Sequence, residues 1–268
     1  MTPTSYRGTP ATTTATAHGT VRRARHHLNL PHARTVTTSP LSAAAAALRT
    51  TFAQHGMMCL TAPAGVGKTF TLHTVLDHNP HMQAIRILPR PQARPQDLRH
   101  SLHHALGLSG QPPDDCGTSD DLVRHALHHP VRLLAIDEAH QLSATCLEYL
   151  RYLCDDPRTQ FALLLTAGSH RIRALRATAM LAARITCWHS LDLLDRADIP
   201  TTIAAFHPHW KTADPAVLLH LDQRWAHGNF RRWATVTHRS ISIQHRTGQP
   251  TADPDALLRH LVPGAQTR

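Results

Sequence analysis

The sequence predicts an α/β fold, a five-stranded parallel sheet flanked by helices, with a small C-terminal helical lid. Three observations predict it. From residue 57 to 191, short apolar runs alternate with helix-like stretches, the pattern of parallel strands joined by crossover helices. A glycine-rich stretch, Ala62-Pro63-Ala64-Gly65-Val66-Gly67-Lys68-Thr69, falls between the first of those runs and the helix-like stretch that opens at Phe70. After about residue 195 the strand-like runs stop and helical patterns take over. With 268 residues the chain has room for one sizeable α/β domain and a smaller one, each with a buried core.

Taken in order, residues 1–34 are rich in Thr, Pro, Arg and His and include the cluster Arg22-Arg23-Ala24-Arg25-His26-His27. So few apolar residues predict a disordered basic arm, either a solvated tail or a strap that follows a nucleic-acid backbone. Ser39-Pro40 opens a helix over 40–54 that carries Leu41, Leu48 and Phe52. Strands are expected at 57–61, 84–88, 131–136, 161–166 and 185–190. Between them lie helices near 69–78, 95–106, 119–128, 141–154 and 170–182. The helix at 141–154 has the clearest period, with Leu142, Cys146, Leu147, Leu150, Leu153 and Cys154 on one face. Gly107, Gly110, Pro112, Pro113 and Gly117 make 107–118 a loop. Helical patterns at 214–225 and 230–243 build the lid. The expected organisation is an arm at 1–34, a core at 35–194 and a lid with its tail at 195–268.

The formal charge is +10 and the pI about 10.4. Of the 28 basic residues only Lys68 and Lys211 are lysines, leaving 26 arginines. Arginine's planar fork suits phosphate, which fits a nucleic-acid partner. A compositional bias, echoed by the 24 histidines, accounts for the same excess. The five cysteines are odd in number and show no CxxC pairing, as in a reducing cytoplasm. The first thirty residues have no apolar signal core and no run of 18 apolar residues occurs, so no membrane anchor is expected. His100, His103 and His104, like His125, His128 and His129, have a ligand-like spacing but no matching Cys or Asp, and no metal site is expected there. Asp114-Asp115 and Asp155-Asp156 read as turn and cap residues, and Trp225 and Trp233 as packing beside the lid turn.

The glycine-rich stretch carries the chemistry. Gly65 and Gly67 can take positive φ and let backbone N–H groups approach an anion. Lys68 would reach the β- and γ-phosphates of a nucleoside triphosphate, and the Thr69 hydroxyl would hold Mg2+. Phe70 follows at the start of the helix. Downstream, the apolar strand Val131-Arg132-Leu133-Leu134-Ala135-Ile136 runs into Asp137-Glu138-Ala139-His140. Two carboxylates at the end of a buried strand are costly unless they meet a cation. Asp137 would hold Mg2+ through water beside Thr69. Glu138 would orient the attacking water and accept its proton.

The loop Ala62–Thr69 and the Asp137-Glu138-Ala139-His140 tip resemble an AAA+ ATPase. More narrowly, they resemble the TniB-like and MuB-like transposition ATP-binding proteins, and the ExeA-like ATPases share the same style of tip. The resemblance covers roughly 35–245 and implies further roles. Thr166, ending the strand Phe161–Leu165, falls where the family places a polar sensor of the γ-phosphate, often Asn. Leu181-Ala182-Ala183-Arg184-Ile185 resembles the segment with an arginine finger, which makes Arg184 the residue that completes a neighbour's site; Arg171, Arg173 and Arg176 compete for that role. Gly228-Asn229-Phe230-Arg231-Arg232 resembles the start of the lid helix with a second sensor arginine, Arg231 or Arg232. The implied function is an ATP-controlled switch that oligomerises on DNA as a ring or filament. It would contact the duplex backbone without much sequence preference and serve a transposase. The alternatives are an ExeA-like or signalling ATPase acting on proteins, and a helicase-loader or replication-initiation ATPase.

Overall fold

The computed structural model describes residues 27–247 and Leu257. Strands β1 (Met57–Ala62), β2 (Ile85–Ile87), β3 (Arg132–Ile136), β4 (Phe161–Gly168) and β5 (Ile185–Ser190) form one sheet in the order β2-β3-β4-β1-β5. Every pairing is parallel. β1 and β4 are buried along their whole length, which is why they read as unbroken apolar runs rather than as alternations. Successive residues face two separate cores. Met58, Leu60, Leu133, Ala135, Ala162 and Leu164 face one; Cys59, Leu134, Ile136, Leu163 and Leu165 face the other.

Helices α1 (Ser39–Ala53) and α2 (Lys68–His78) cover the first core with Leu41, Leu48, Leu72 and Val75. Helices α3 (Pro95–Ala105), α4 (Cys116–His128) and α5 (Ala144–Asp155) cover the second with Leu98, Leu102, Val123, Leu127, Leu147 and Leu150. Side-chain oxygens start several of these helices: Thr38 accepts from the N–H of Leu41, Asp115 from Thr118 and Ser143 from Cys146. The helix expected at 170–182 is broken into α6 (Ile172–Ala177) and α7 (Ala179–Ala182), with Thr178 outside the helical region between them. Leu175 and Leu181 both enter the second core. Six residues apart on one straight helix they would point about 120° from each other, so the break lets both face the sheet.

Beyond the sheet, α8 (Ile199–Phe206), α9 (Pro215–Leu221) and α10 (Phe230–Thr247) form the lid. Its core gathers Ile199, Ile203, Leu218, Leu221, Trp210, Trp233 and Val236. Trp233 is fully buried, with Nε1 donating to Asp222 Oδ1 at 2.9 Å, a packing residue. The Arg22–Arg25 cluster of the expected arm lies outside the described residues. Residues 27–34, which fall inside that arm, pack onto the lid: Leu30 sits against Phe206 and Ala234, and the Arg34 N–H donates to Phe206 O at 2.8 Å. His207 Nε2 donates to Pro31 O at 2.7 Å. Low apolar content hides this seat because one buried leucine and two backbone acceptors make it. No helix among the described residues is long and apolar enough to cross a membrane.

Candidate nucleotide site

In an open parallel sheet, ligands collect beyond the carboxyl ends of the strands. Here the loop after β1, the tip of β3 and the end of β4 meet at that edge. Gly65 and Gly67 hold φ of +86° and +109°, a region that L side chains avoid. Gly67 is also the N-cap of α2 and offers no capping side chain. The first-turn N–H groups of α2 therefore remain for an anion, favoured there by the helix dipole. Ala64 to Phe70 line a cavity of about 560 Å³, together with Arg86, Glu138 and Arg231. Ala62 and Pro63 precede the cavity wall; Ala62 is the buried last residue of β1.

Lys68, Thr69 and Glu138 line this cavity, and Asp137 is buried behind them. Lys68 Nζ lies 3.5 Å from Glu138 Oε1. The Thr69 hydroxyl donates to Asp137 Oδ2 at 3.1 Å, which puts two hard oxygens side by side, the donor set Mg2+ prefers. Burial pushes the Asp137 carboxyl up. Hydrogen bonds from Thr166, Arg86 and Thr69 and the charge of Arg86 outweigh it and hold the group below the usual carboxylate range. Asp137 is thus ionised at neutral pH.

Glu138 sits in the left-handed region at φ +54°, unusual for a side chain of its size. Its N–H, donating to Thr166 Oγ1 and Asp137 Oδ1, both at 3.1 Å, holds it there. His140 Nδ1 lies 3.2 Å from Glu138 Oε2 without the alignment of a hydrogen bond. Burial lowers the His140 pKa, and Arg171, His170 and Lys68 add to this against the pull of Glu138, so its ring is neutral at neutral pH.

Thr166 is fully buried and does not line the cavity. Its hydroxyl donates to Asp137 Oδ1 at 2.6 Å and accepts from the Glu138 N–H. The structure gives it the two carboxylate residues as partners. Arg231 and Arg232 part company. Arg231 lines the cavity, while Arg232 Nη1 donates to Trp225 O at 3.0 Å on the lid. Arg184 stands elsewhere, directly before β5, paired with Asp155 through Nε at 2.7 Å and Nη2 at 2.9 Å. Its competitors Arg171, Arg173 and Arg176 are exposed, and Arg176 stacks over Trp188.

Two sets of residues escape the sequence reading. Arg86, in the middle of β2, donates from Nη2 to Asp137 Oδ2 at 2.7 Å. An arginine inside a strand is the only signal, and 26 arginines drown it. The other end of the cavity is apolar, with Val36, Pro40, Leu41, Phe206, Phe230 and Ala234 from the N-terminal segment and the lid. These meet only through tertiary packing, so no local pattern announces them.

The lid touches the loop directly. Asn229 Nδ2 donates to Ala64 O at 2.8 Å, and the Arg231 N–H donates to Gly65 O at 3.1 Å.

Residues 50–175 match a family model described as an AAA domain. Those residues have the AAA-type P-loop fold. This AAA-type domain and its lid are similar in fold to solved structures of low sequence identity. The ORC2 protein of Aeropyrum pernix, solved as ADPNP–ADP complexes, has 12% identity and a TM-score of 0.65, over 89% of this chain and 71% of that one. Drosophila ORC bound to DNA has 13% identity and a TM-score of 0.63, over 98% and 70%. The RuvB Holliday junction branch migration motor of Thermotoga maritima has 16% identity and a TM-score of 0.57, over 84% and 69%. No curated protein matches the sequence.

Proposed function

We propose that this chain binds ATP with Mg2+, hydrolyses it to ADP and phosphate, and uses the difference to control an assembly on duplex DNA. The observation that carries the reading is that Lys68, Thr69, Glu138 and, from the lid, Arg231 line one cavity, with Asp137 buried behind Thr69 and hydrogen-bonded to it. The base and ribose fit the apolar end between Phe206, Phe230 and Leu41, and the phosphates the glycine loop. Thr69 and Asp137 would hold Mg2+, which would supply positive charge against the phosphates. Lys68 leaves Glu138 for those phosphates as they arrive. That frees the Glu138 carboxylate to orient a water and take its proton as the water attacks the γ-phosphorus. Arg231 neutralises charge on the phosphates from the lid side, and Thr166 acts through the carboxylates it holds.

Arg184 precedes β5, at the opposite end of the strands from the loop, which begins one strand length further on. From there it cannot serve its own cavity, and we assign it to the cavity of a neighbouring copy, where an arginine offsets charge developing on the γ-phosphate. The assembly is then a ring or filament, and the γ-phosphate is its adhesive. The five free cysteines suit a cytoplasmic setting. The motif resemblance favours a transposition helper that recruits a transposase to its target. The similarity in fold to the DNA-bound Drosophila ORC favours a second reading, a replication-initiation or helicase-loading ATPase.

Lys68→Ala and Glu138→Gln test the core of the proposal. The first should lose at least tenfold in affinity for a fluorescent ATP analogue. The second should bind ATP normally, fall about a hundredfold or more in turnover, and sediment as longer-lived oligomers. Normal turnover by Glu138→Gln would remove it as the base. Strand transfer by an integrase-like transposase that depends on the ATP-loaded protein separates the first reading from the second, which demands helicase loading instead.

A further inference from the structure

Asp137 accepts four hydrogen bonds. Oδ1 takes the Thr166 hydroxyl at 2.6 Å and the Glu138 N–H at 3.1 Å. Oδ2 takes the Thr69 hydroxyl at 3.1 Å and Arg86 Nη2 at 2.7 Å. An ionised carboxylate offers about four lone-pair sites, so this one is full. A Mg2+ ion held through water needs one of those sites for a proton of its bound water.

Three of the four donors belong to the frame. Thr69 can keep donating to Asp137 while its oxygen faces the metal. Thr166 is fully buried in β4, and the Glu138 N–H is backbone. Arg86 differs: its long side chain is 30% exposed and stands in the cavity wall. It also sits where no arginine belongs without a partner, between the core residues Ile85 and Ile87 and in register with buried Ala135. Its Nη1 donates to His73 Nε2 on α2, so one side of the guanidinium has an anchor that does not depend on Asp137.

We propose that Arg86 is a built-in stand-in for the divalent cation. In its pair with Asp137 it occupies the place that a metal-bound water would take. On loading, its guanidinium turns into the cavity to the terminal phosphate and leaves Asp137 to the hydrated metal. The inference rests on the phosphate-loop reading above. It has two consequences: the divalent ion must displace Arg86 to bind, and nucleotide without metal still finds a cation.

The test uses the full chain with a non-hydrolysable ATP analogue and Mn2+ as the probe, its free concentration read by electron paramagnetic resonance. Arg86→Gln should bind Mn2+ about tenfold more tightly than the parent, the scale of one charge-assisted hydrogen bond. In EDTA the same variant should bind a fluorescent ATP analogue several-fold more weakly. Unchanged or weaker Mn2+ affinity overturns the proposal. Should Arg86→Gln not fold, Arg86→Lys keeps the charge but loses the fork, and should bind Mn2+ more tightly by a smaller factor; parent-like affinity there overturns the proposal equally. Lys68→Ala separates the two layers. If it keeps full nucleotide affinity, the phosphate-loop reading falls and the stand-in with it. If it loses nucleotide while Arg86→Gln leaves Mn2+ affinity unchanged, only the stand-in falls.

Discussion

A Cβ at Gly65 would lie 2.5 Å from Asn229 Oδ1, 2.9 Å from Asn229 Nδ2 and 3.0 Å from Arg231 Cβ, and φ there is +86°. The loop and the lid therefore meet with no room for a methyl group. Gly65→Ala would strain the loop by about 1–2 kcal/mol and push the lid helix away from it. ATP affinity should fall at least tenfold while the sheet stays folded, as a fluorescent-nucleotide titration beside circular dichroism would record. Parent-like affinity would mean that the contact between loop and lid does not matter for binding. At this scale Lys68, Thr69, Asp137 and Glu138 were legible because each pair is adjacent in sequence and ends or begins a patterned element. Arg86 was not, since its meaning comes from Asp137, 51 positions away. Arg231 and Arg232 were inseparable for another reason: neighbours on a helix point about 100° apart, and only the packed lid says which direction is the cavity.

At the level of elements, α5 holds Arg184 through Asp155. Asp155, at the end of α5, takes both Nε and Nη2 of Arg184 and also Arg151 Nη1 at 2.6 Å. The pair is half-exposed, so it contributes little to stability, and it keeps the guanidinium in one orientation. If Arg184 serves a neighbour's cavity, Arg184→Ala should bind ATP normally but lose turnover at concentrations where the parent assembles. Mixing it with Lys68→Ala should restore part of the activity, because one interface in the mixture has an intact loop facing an intact arginine. Absence of rescue would confine Arg184 to its ion pair with Asp155. The central strands β1 and β4 were plain in the sequence because burial on both faces leaves little room for polar residues. The break between α6 and α7 was not, since it answers to the sheet beneath and not to any glycine or proline within the segment. The same holds for the N-terminal segment, whose apolar contribution at Leu30 makes sense only with Phe206 beside it.

For the molecule as a whole, the charge of +10 sets the expected behaviour with DNA. Backbone contacts release counterions, so a protein that neutralises about four phosphates loses roughly a hundredfold in affinity between about 50 and about 200 mM salt. Sedimentation with duplex DNA should show that loss, and ATP should increase the amount bound at fixed salt. Binding indifferent to both would count against an ATP-controlled assembly on DNA.

The lid helix adds a mechanical consequence. α10 begins at Phe230, and the neighbouring Arg231 N–H is hydrogen-bonded to the phosphate loop, while Ile243 near its far end packs in the core of the lid. Eighteen residues of helix span about 27 Å, so a tilt of about 5° at the loop carries the distal end through about 2 Å. If nucleotide shifts the loop, the helix would work as the pointer of a gauge, pivoted at the loop and read at its outer end by whatever grips it there.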